Sequence, residues 1–98
     1  MENKNLIEIS DKNGILLKKK FEEFLKKTNL DIHGDISYYL REKSNFLSFL
    51  NIDIAKIFFY EDWISVHINK ENLERVKKLF EDFIKINKVR IVLNVEDE

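Results

Sequence analysis

The clearest pattern of hydrophobic and polar positions lies in the second half of the chain. Two apolar segments, Ile57–Tyr60 and Trp63–Ile68, flank the polar pair Glu61-Asp62. In the later segment every second position is apolar from Ile64 onward, and a period of two is typical of a strand with one buried face. Two such segments joined by two residues predict a β-hairpin.

The period of the pattern changes after this hairpin. Asn69 is a residue type that caps helices, because its side-chain oxygen can accept a hydrogen bond from a backbone N–H of the first turn. The apolar residues that follow recur at spacings of three and four, which predicts an amphipathic helix; they are Leu73, Val76, Phe80 and Phe83. Alternation returns in Val89–Val95 and predicts a last strand. Since the helix stripe can cover one face of the sheet, these elements form one packing unit.

The first third of the chain permits two interpretations. Leu6–Ser10 alternates like a short strand, and Asp11–Gly14 is a strong turn signal, because Asn and Gly tolerate positive φ. Ile15–Lys19 can complete a hairpin and lead into a helix that ends near Thr28. It can equally begin one long helix, because four apolar residues share a helical face: Leu17, Phe21, Phe24 and Leu25. The second interpretation predicts a ferredoxin-like β-α-β-β-α-β order with one extra helix.

The middle of the chain is predicted to be a loop followed by a helix. Asn29–Asp35 is polar and contains a glycine, which indicates a loop, and Ile36–Leu50 suits a helix with a buried face, best supported from Ser44 onward. We therefore expect a single α+β domain over residues 1–98, with a small antiparallel or mixed sheet of four or five strands and helices mainly on one face. The predicted core consists of Ile57, Phe59, Ile64, Val66, Leu73, Val76, Phe80, Phe83, Ile91 and Leu93.

Composition excludes some function classes. The formal net charge is −1, from 17 basic and 18 acidic residues, so no global charge attracts nucleic acid or an anionic membrane. No apolar run approaches the ~18 residues of a transmembrane helix, and the first residues do not resemble a signal peptide. We expect a cytoplasmic protein without membrane contact. The chain has no cysteine, which excludes disulfides and thiolate chemistry.

The only tight cluster of metal-ligand types is Asp31, His33 and Asp35. Carboxylate and imidazole at this spacing occur in two-metal phosphoesterases, where they hold a metal that activates water. Those enzymes draw further ligands from several loops, and this chain offers one other histidine, His67. We interpret the cluster as a capped polar loop, and we expect no metal, no cofactor and no catalytic residue.

The segment SFLNIDIAKIFFYEDWISVHI, residues 48–68, combines a helix with Phe49, a strand with Ile57-Phe58-Phe59, a turn ending at Asp62 and a second strand that begins at Trp63. In this arrangement it resembles the N-terminal domain of Nfu/NifU-type iron–sulfur scaffold proteins. The resemblance implies a hairpin followed by a helix, and an accessory role in iron–sulfur assembly. In that family a Cys-x-x-Cys domain binds the cluster, and it has no counterpart in this chain.

Three aromatic residues are the candidate interface. Because strand residues alternate, Phe58, Tyr60 and Trp63 should point away from the core and form an apolar patch. We expect a non-enzymatic interaction or scaffold-accessory domain. Its partner would be another protein, or a second copy in a homodimer, bound through this patch or a sheet edge.

Three alternatives stand beside this expectation. The helix predicted over Ile36–Leu50 can cover the patch and leave a monomer. A nucleic-acid-binding module could stack bases on these rings, but only Lys56 is expected nearby, so nucleic acid is not the expected partner. A small metal-dependent enzyme using Asp31, His33 and Asp35 is the third alternative.

Overall fold

The computed structural model describes residues 9–43 and 53–96. In chain order the elements are α1 (Ile15–Leu25), β1 (Leu30–His33), β2 (Tyr38–Glu42), β3 (Ala55–Phe59), β4 (Trp63–Asn69), α2 (Leu73–Ile86) and β5 (Arg90–Glu96). Short 3-10 turns, Lys12–Gly14 and Lys70–Asn72, lead into the two α-helices. The strands form one five-stranded sheet in the order β1-β2-β3-β4-β5. The predicted α+β class with a mixed sheet is confirmed.

The predicted hairpin and the crossover after it are both present. β3 and β4 pair antiparallel, with Ile57 opposite Val66 and Phe59 opposite Ile64. α2 then returns the chain so that β5 lies parallel to β4, with Trp63 level with Arg90. α2 packs on β4 and β5, while α1 packs on β1 and β3. Both helices contribute to the same core cluster, so they cover the same face of the sheet.

The core lies between the helices and the sheet, with Phe21 at its centre. Its ring lies parallel to that of Phe80 at 4.9 Å, edge-on to Phe83 at 5.1 Å and 5.8 Å from Phe59. Seven of the ten predicted core residues are buried: Ile57, Phe59, Ile64, Val66, Val76, Phe80 and Phe83. The other three are partly buried and pack against this cluster: Leu73, Ile91 and Leu93.

The first helix begins earlier than the hairpin interpretation requires. Ile15–Lys19 belongs to α1, so the long-helix alternative is confirmed and the strand at this position is wrong. Asp11 explains the outcome: its carboxylate accepts a hydrogen bond from the backbone N–H of Asn13 at 3.0 Å and starts a helical turn instead of a reversal. The predicted strand Leu6–Ser10 is also wrong at Ile9 and Ser10, which lie outside any strand, and its earlier residues lie outside the described part of the chain.

Gly14 is required for a reason other than the one expected. Its φ is −84°, so it does not adopt the positive φ predicted for this turn. A Cβ at this position would collide with the carbonyl oxygen of Phe59 and lie 2.8 Å from the backbone nitrogen of Tyr60. Here Ser10 and Asp11 complete the hydrogen bonding of β3. The backbone N–H of Phe59 donates to Oγ of Ser10 at 3.1 Å, and its carbonyl accepts from Asp11 at 2.9 Å.

The loop and helix predicted in the middle of the chain are wrong where the structure describes them. Leu30–His33 and Tyr38–Glu42 form an antiparallel pair, joined by a turn in which Gly34 has a φ of 127°. Apolar and polar residues also alternate in these strands: in β1 the apolar residues face the core, while Asp31 and His33 face away from it. Ser44–Leu50 and the start of the predicted link at Asn51 lie outside the described residues. The element order therefore differs from the ferredoxin-like alternative.

The start of α2 differs from the predicted cap. Asn69 ends β4, and its side chain makes no capping hydrogen bond. Asn72 is the residue before the helix, and its Nδ2 donates to the carbonyl of Ile54 at 3.3 Å, which ties α2 to the start of β3. Within the described part of the chain, neither α-helix has the length and apolar character needed to cross a lipid bilayer.

Candidate binding face of the sheet

The strand residues that do not face the helices share the opposite surface of the sheet, which we call the second face. By register, its members are Asp31, His33, Tyr39, Arg41, Lys56, Phe58, Trp63, Ser65, His67, Asn69, Arg90, Val92, Asn94 and Glu96. Tyr60, directly after β3, joins them through its contact with Trp63. Among the described residues, neither helix packs on this face.

Two of the three predicted interface residues lie together at one end of the second face. The rings of Tyr60 and Trp63 stack with their centroids 4.3 Å apart and their planes at 14°. The backbone N–H of Tyr60 donates to the carbonyl of Trp63 at 2.9 Å, which closes the hairpin and holds the two residues side by side. The guanidinium of Arg90 lies 5.5 Å from the Trp63 ring. We call these three residues the Tyr60–Trp63–Arg90 cluster.

The third predicted interface residue, Phe58, is on the second face but is not an exposed contact. Only 2% of it is accessible. Its ring meets that of His67 edge-on at 5.4 Å, and the amine of Lys56 lies 5.4 Å from its centroid. The prediction that Phe58 contributes an exposed ring is therefore wrong. Alternation along one strand gives the direction of a side chain, but longer neighbours on the same face decide whether it is covered.

One row of the second face crosses all five strands. Register places His33 beside Tyr39, Tyr39 beside Lys56, Lys56 beside His67, and His67 beside Asn94. The amine of Lys56 lies 5.8 Å from the Tyr39 ring. Sequence analysis missed His33 and Tyr39 in this row, because β1 and β2 were not recognised as strands. The signal that could have found it is the alternation of Leu30 and Ile32 with Asp31 and His33.

Ser65 is the one buried polar residue of the described chain, with 2% of it accessible. Its hydroxyl accepts a hydrogen bond from Nδ2 of Asn94 at 3.1 Å and lies 3.4 Å from Nε2 of His67. Asn94 also donates to the carbonyl of Val66 at 3.4 Å. These contacts satisfy the buried hydroxyl, so Ser65 links β4 to β5 through Asn94.

Charges on the second face are mixed. Three cationic side chains, Arg41, Lys56 and Arg90, lie near aromatic rings, so the expectation that only Lys56 would be near is wrong. Carboxylates offset part of this charge, because Asp53 forms an ion pair with Arg41. Asp31 lies 2.9 Å from Nε2 of His33. The face is aromatic and polar, with little excess of either charge.

The structure brings together two members of the candidate metal cluster. Asp31 and His33 are in contact on β1, whereas Asp35 follows in the turn. Within residues 9–43 and 53–96, no group of three or more His, Asp or Glu side chains could hold a metal ion.

A concavity beside Tyr39, Lys56 and His67 has a volume of about 180 Å³. Small-molecule pockets are usually roughly 300–1,000 Å³, so this concavity is smaller than a typical one.

Comparisons with protein-family models, with curated proteins and with solved structures found no match. They leave the resemblance to Nfu/NifU-type domains as an expectation from the sequence.

Proposed function

We propose that this chain is a non-enzymatic binding domain that contacts another protein through the second face, with the Tyr60–Trp63–Arg90 cluster at the centre of the contact. The main observation in support of this proposal is the stacking of Tyr60 on Trp63. Trp, Tyr and Arg are the residue types that most often dominate the energy of protein interfaces. Because these rings are already stacked in the free chain, binding would cost little additional side-chain entropy.

The charge pattern supports a protein partner. Asp53 offsets Arg41, and Asp31 lies against His33, so the second face presents no continuous positive surface to a polyanion. A mixture of aromatic rings and balanced charges is the usual composition of a protein interface. If the resemblance to Nfu/NifU-type domains reflects kinship, the partner belongs to the iron–sulfur assembly machinery. That narrower role rests on residues 48–68 alone.

The experiment compares two substitutions that each remove an exposed or half-exposed apolar side chain. Trp63→Ser removes the centre of the cluster, whereas Leu16→Ser removes a side chain on α1 that is 71% exposed and belongs to the helical layer. Proteins retained by the purified chain are identified by mass spectrometry, and the affinity of each is measured by calorimetry. We expect Trp63→Ser to weaken binding at least about tenfold and Leu16→Ser to leave it unchanged. A partner that binds both variants equally well would contradict the proposal.

A second candidate function is binding of single-stranded nucleic acid. The observation that favours it is Tyr39, whose ring lies 5.9 Å from the guanidinium of Arg41 and 5.8 Å from the amine of Lys56. An aromatic ring flanked by cations can stack a base while the cations contact phosphates. Trp63 with Arg90 repeats this arrangement at the other end of the face.

The single tryptophan makes this candidate easy to test. Bases stacking on the second face should quench the emission of Trp63 during titration with oligothymidylate or oligouridylate at low salt. The quenching should weaken as salt is added, because phosphate contacts release counterions. Tyr39→Ala should reduce the affinity. Unchanged emission together with no measurable affinity at low salt would eliminate this candidate and leave the protein partner.

A further inference from the structure

β5 is the outermost strand of the described sheet on its parallel side. It has seven residues, Arg90–Glu96, without proline, glycine or lysine. Val92 is 37% exposed and Val95 is 43% exposed. Long apolar edge strands are usually shortened, charged or covered, because their free backbone groups pair with other chains. At the opposite edge, β1 has four residues and carries Asp31 and His33.

The sequence of β5 is complementary to itself when it is read in the opposite direction. If two copies pair antiparallel with Leu93 opposite Leu93, then Arg90 of each copy lies opposite Glu96 of the other. Ile91 then lies opposite Val95, on the face that the helices cover. This register pairs all seven residues and keeps both faces of the sheet continuous. Antiparallel registers shifted by two residues pair only five residues and lose both Arg–Glu contacts.

The helices fit the same arrangement. α2 packs on both β4 and β5, so its axis lies about one strand spacing from the free edge of the sheet. In the paired arrangement the two α2 helices would then lie about 10 Å apart, which is two strand spacings and close to the distance at which helices pack. Ile84, 42% exposed, lies on the flank of α2 that a right-handed β–α–β crossover turns toward this edge.

We propose that this protein forms a homodimer in which β5 pairs antiparallel with β5 of a second copy, so that the two sheets join and Arg90 contacts Glu96 of the second copy at both ends. The occupant of the edge is a second copy because the charged ends of this strand and the apolar residues of its covered face match the strand itself, while Val92 lies opposite Asn94. The pairing uses the edge of the sheet and shares only Arg90 with the proposed binding cluster, so Glu96→Arg tests the dimer without changing that cluster.

Sedimentation velocity of the full chain over a range of concentrations tests the dimer. Arg90→Glu places like charges opposite each other at both ends and should raise the dissociation constant about tenfold. Glu96→Arg should do the same. The double variant Arg90→Glu/Glu96→Arg restores opposite charges and should bring the constant back to within about threefold of the wild type. Both residues are exposed, and circular dichroism checks that each variant is folded.

Mixing the two single variants is the sharper test. Each variant alone faces like charges in its homodimer, whereas the mixed dimer pairs opposite charges at both ends. Native mass spectrometry should therefore show mixed dimers well above the statistical half. Arg90 also contacts Trp63, so if Arg90→Glu unfolds, Glu96→Arg alone carries the test, with Glu96→Gln expected at an intermediate dissociation constant.

Two results would overturn the proposal. The first is a wild-type chain that stays monomeric at about 100 μM. The second is a dimer that ignores these charge changes but dissociates in Trp63→Ser, which would place the contact on the second face.

Discussion

The two faces of one sheet use aromatic residues in different ways. On the helix-covered face, rings contact other rings, as Phe21 does with Phe80 at 4.9 Å. On the second face, the rings of Tyr60 and Trp63 also stack, but most contacts of its rings are with cations, as Trp63 has with Arg90 at 5.5 Å. The difference follows from what lies above the strands. The two described helices pack apolar side chains on the covered face. On the second face, where neither of them packs, the contacts described are between residues of the strands themselves.

Phe58 and Phe59 show that burial alone does not tell these faces apart. They are neighbours in β3, with 2% and 1% accessible. Phe59 belongs to the core and contacts Phe21 and Tyr38. Phe58 contacts His67 and lies near the amine of Lys56, and both of these residues are only partly buried. The composition of the contacts, rather than the exposed fraction, separates a core residue from one that supports a surface.

The largest expected effect comes from removing the centre of the helix-covered face. Phe21→Ala should lower the free energy of unfolding by about 3–5 kcal/mol, because four other rings enclose the emptied site. Phe80→Ala should fall in the same range. Phe58→Ala is the matched substitution on the second face and should cost less than about 3 kcal/mol, because the flexible Lys56 side chain can move into the space. Urea denaturation measures all three, and equal losses for Phe21 and Phe58 would contradict the distinction between the faces.

A smaller effect is expected where the start of α1 meets the end of β3. Gly14→Ala should cost about 1–3 kcal/mol, because the added methyl group collides with the backbone of Phe59 and the neighbouring chain must shift. Lys12→Ala, an exposed change in the same turn, is the control and should be nearly neutral. Thermal unfolding followed by circular dichroism compares the two. A Gly14→Ala variant as stable as the wild type would show that this contact is not tight.

The smallest effect is expected on the second face itself. Arg41→Ala should change the free energy of unfolding by less than about 1 kcal/mol, because its ion pair with Asp53 is partly exposed to solvent. Tyr39→Ala should also have a small effect, since its ring is only half-buried. If either change lowered stability as much as Phe21→Ala, the second face would have to be counted as a second core. Urea denaturation of both variants at one salt concentration decides this.

The parts of the fold that sequence analysis predicted are those with long periodic patterns. β3, β4, α2 and β5 follow one another without ambiguity, and the α2 stripe identified Val76, Phe80 and Phe83 as core. β1 and β2 were missed because they are short and carry polar and charged side chains beside their apolar ones, whereas the equally short β3 is mostly apolar.

In the candidate site, too, sequence analysis predicted only the residues that one local pattern brings together. Tyr60 and Trp63 are hairpin neighbours, so a local pattern was enough to place them together. Tyr39, Arg41 and Arg90 reach the same face as Tyr60 and Trp63 only through the pairing of β2 with β3 and of β4 with β5. The pattern of apolar and polar residues within one segment does not show which residues of two different strands lie side by side. Sequence analysis predicted the correct face for Phe58. It did not predict that the ring is buried, because this depends on contact with His67 of the next strand.

The order of the strands also bears on how the chain folds. Each described strand lies beside the one that precedes it in sequence, so β1 to β5 can be added one after another. Sheets built from such local pairings require less loop closure before they are stabilised, and they fold faster than sheets with distant partners. The hydrogen bond between Ser10 and Phe59 joins residues 49 positions apart, so a much longer loop must close before it can form. We therefore expect the attachment of Ser10 and Asp11 to β3 to form after the hairpin, as a late step in the folding of this domain.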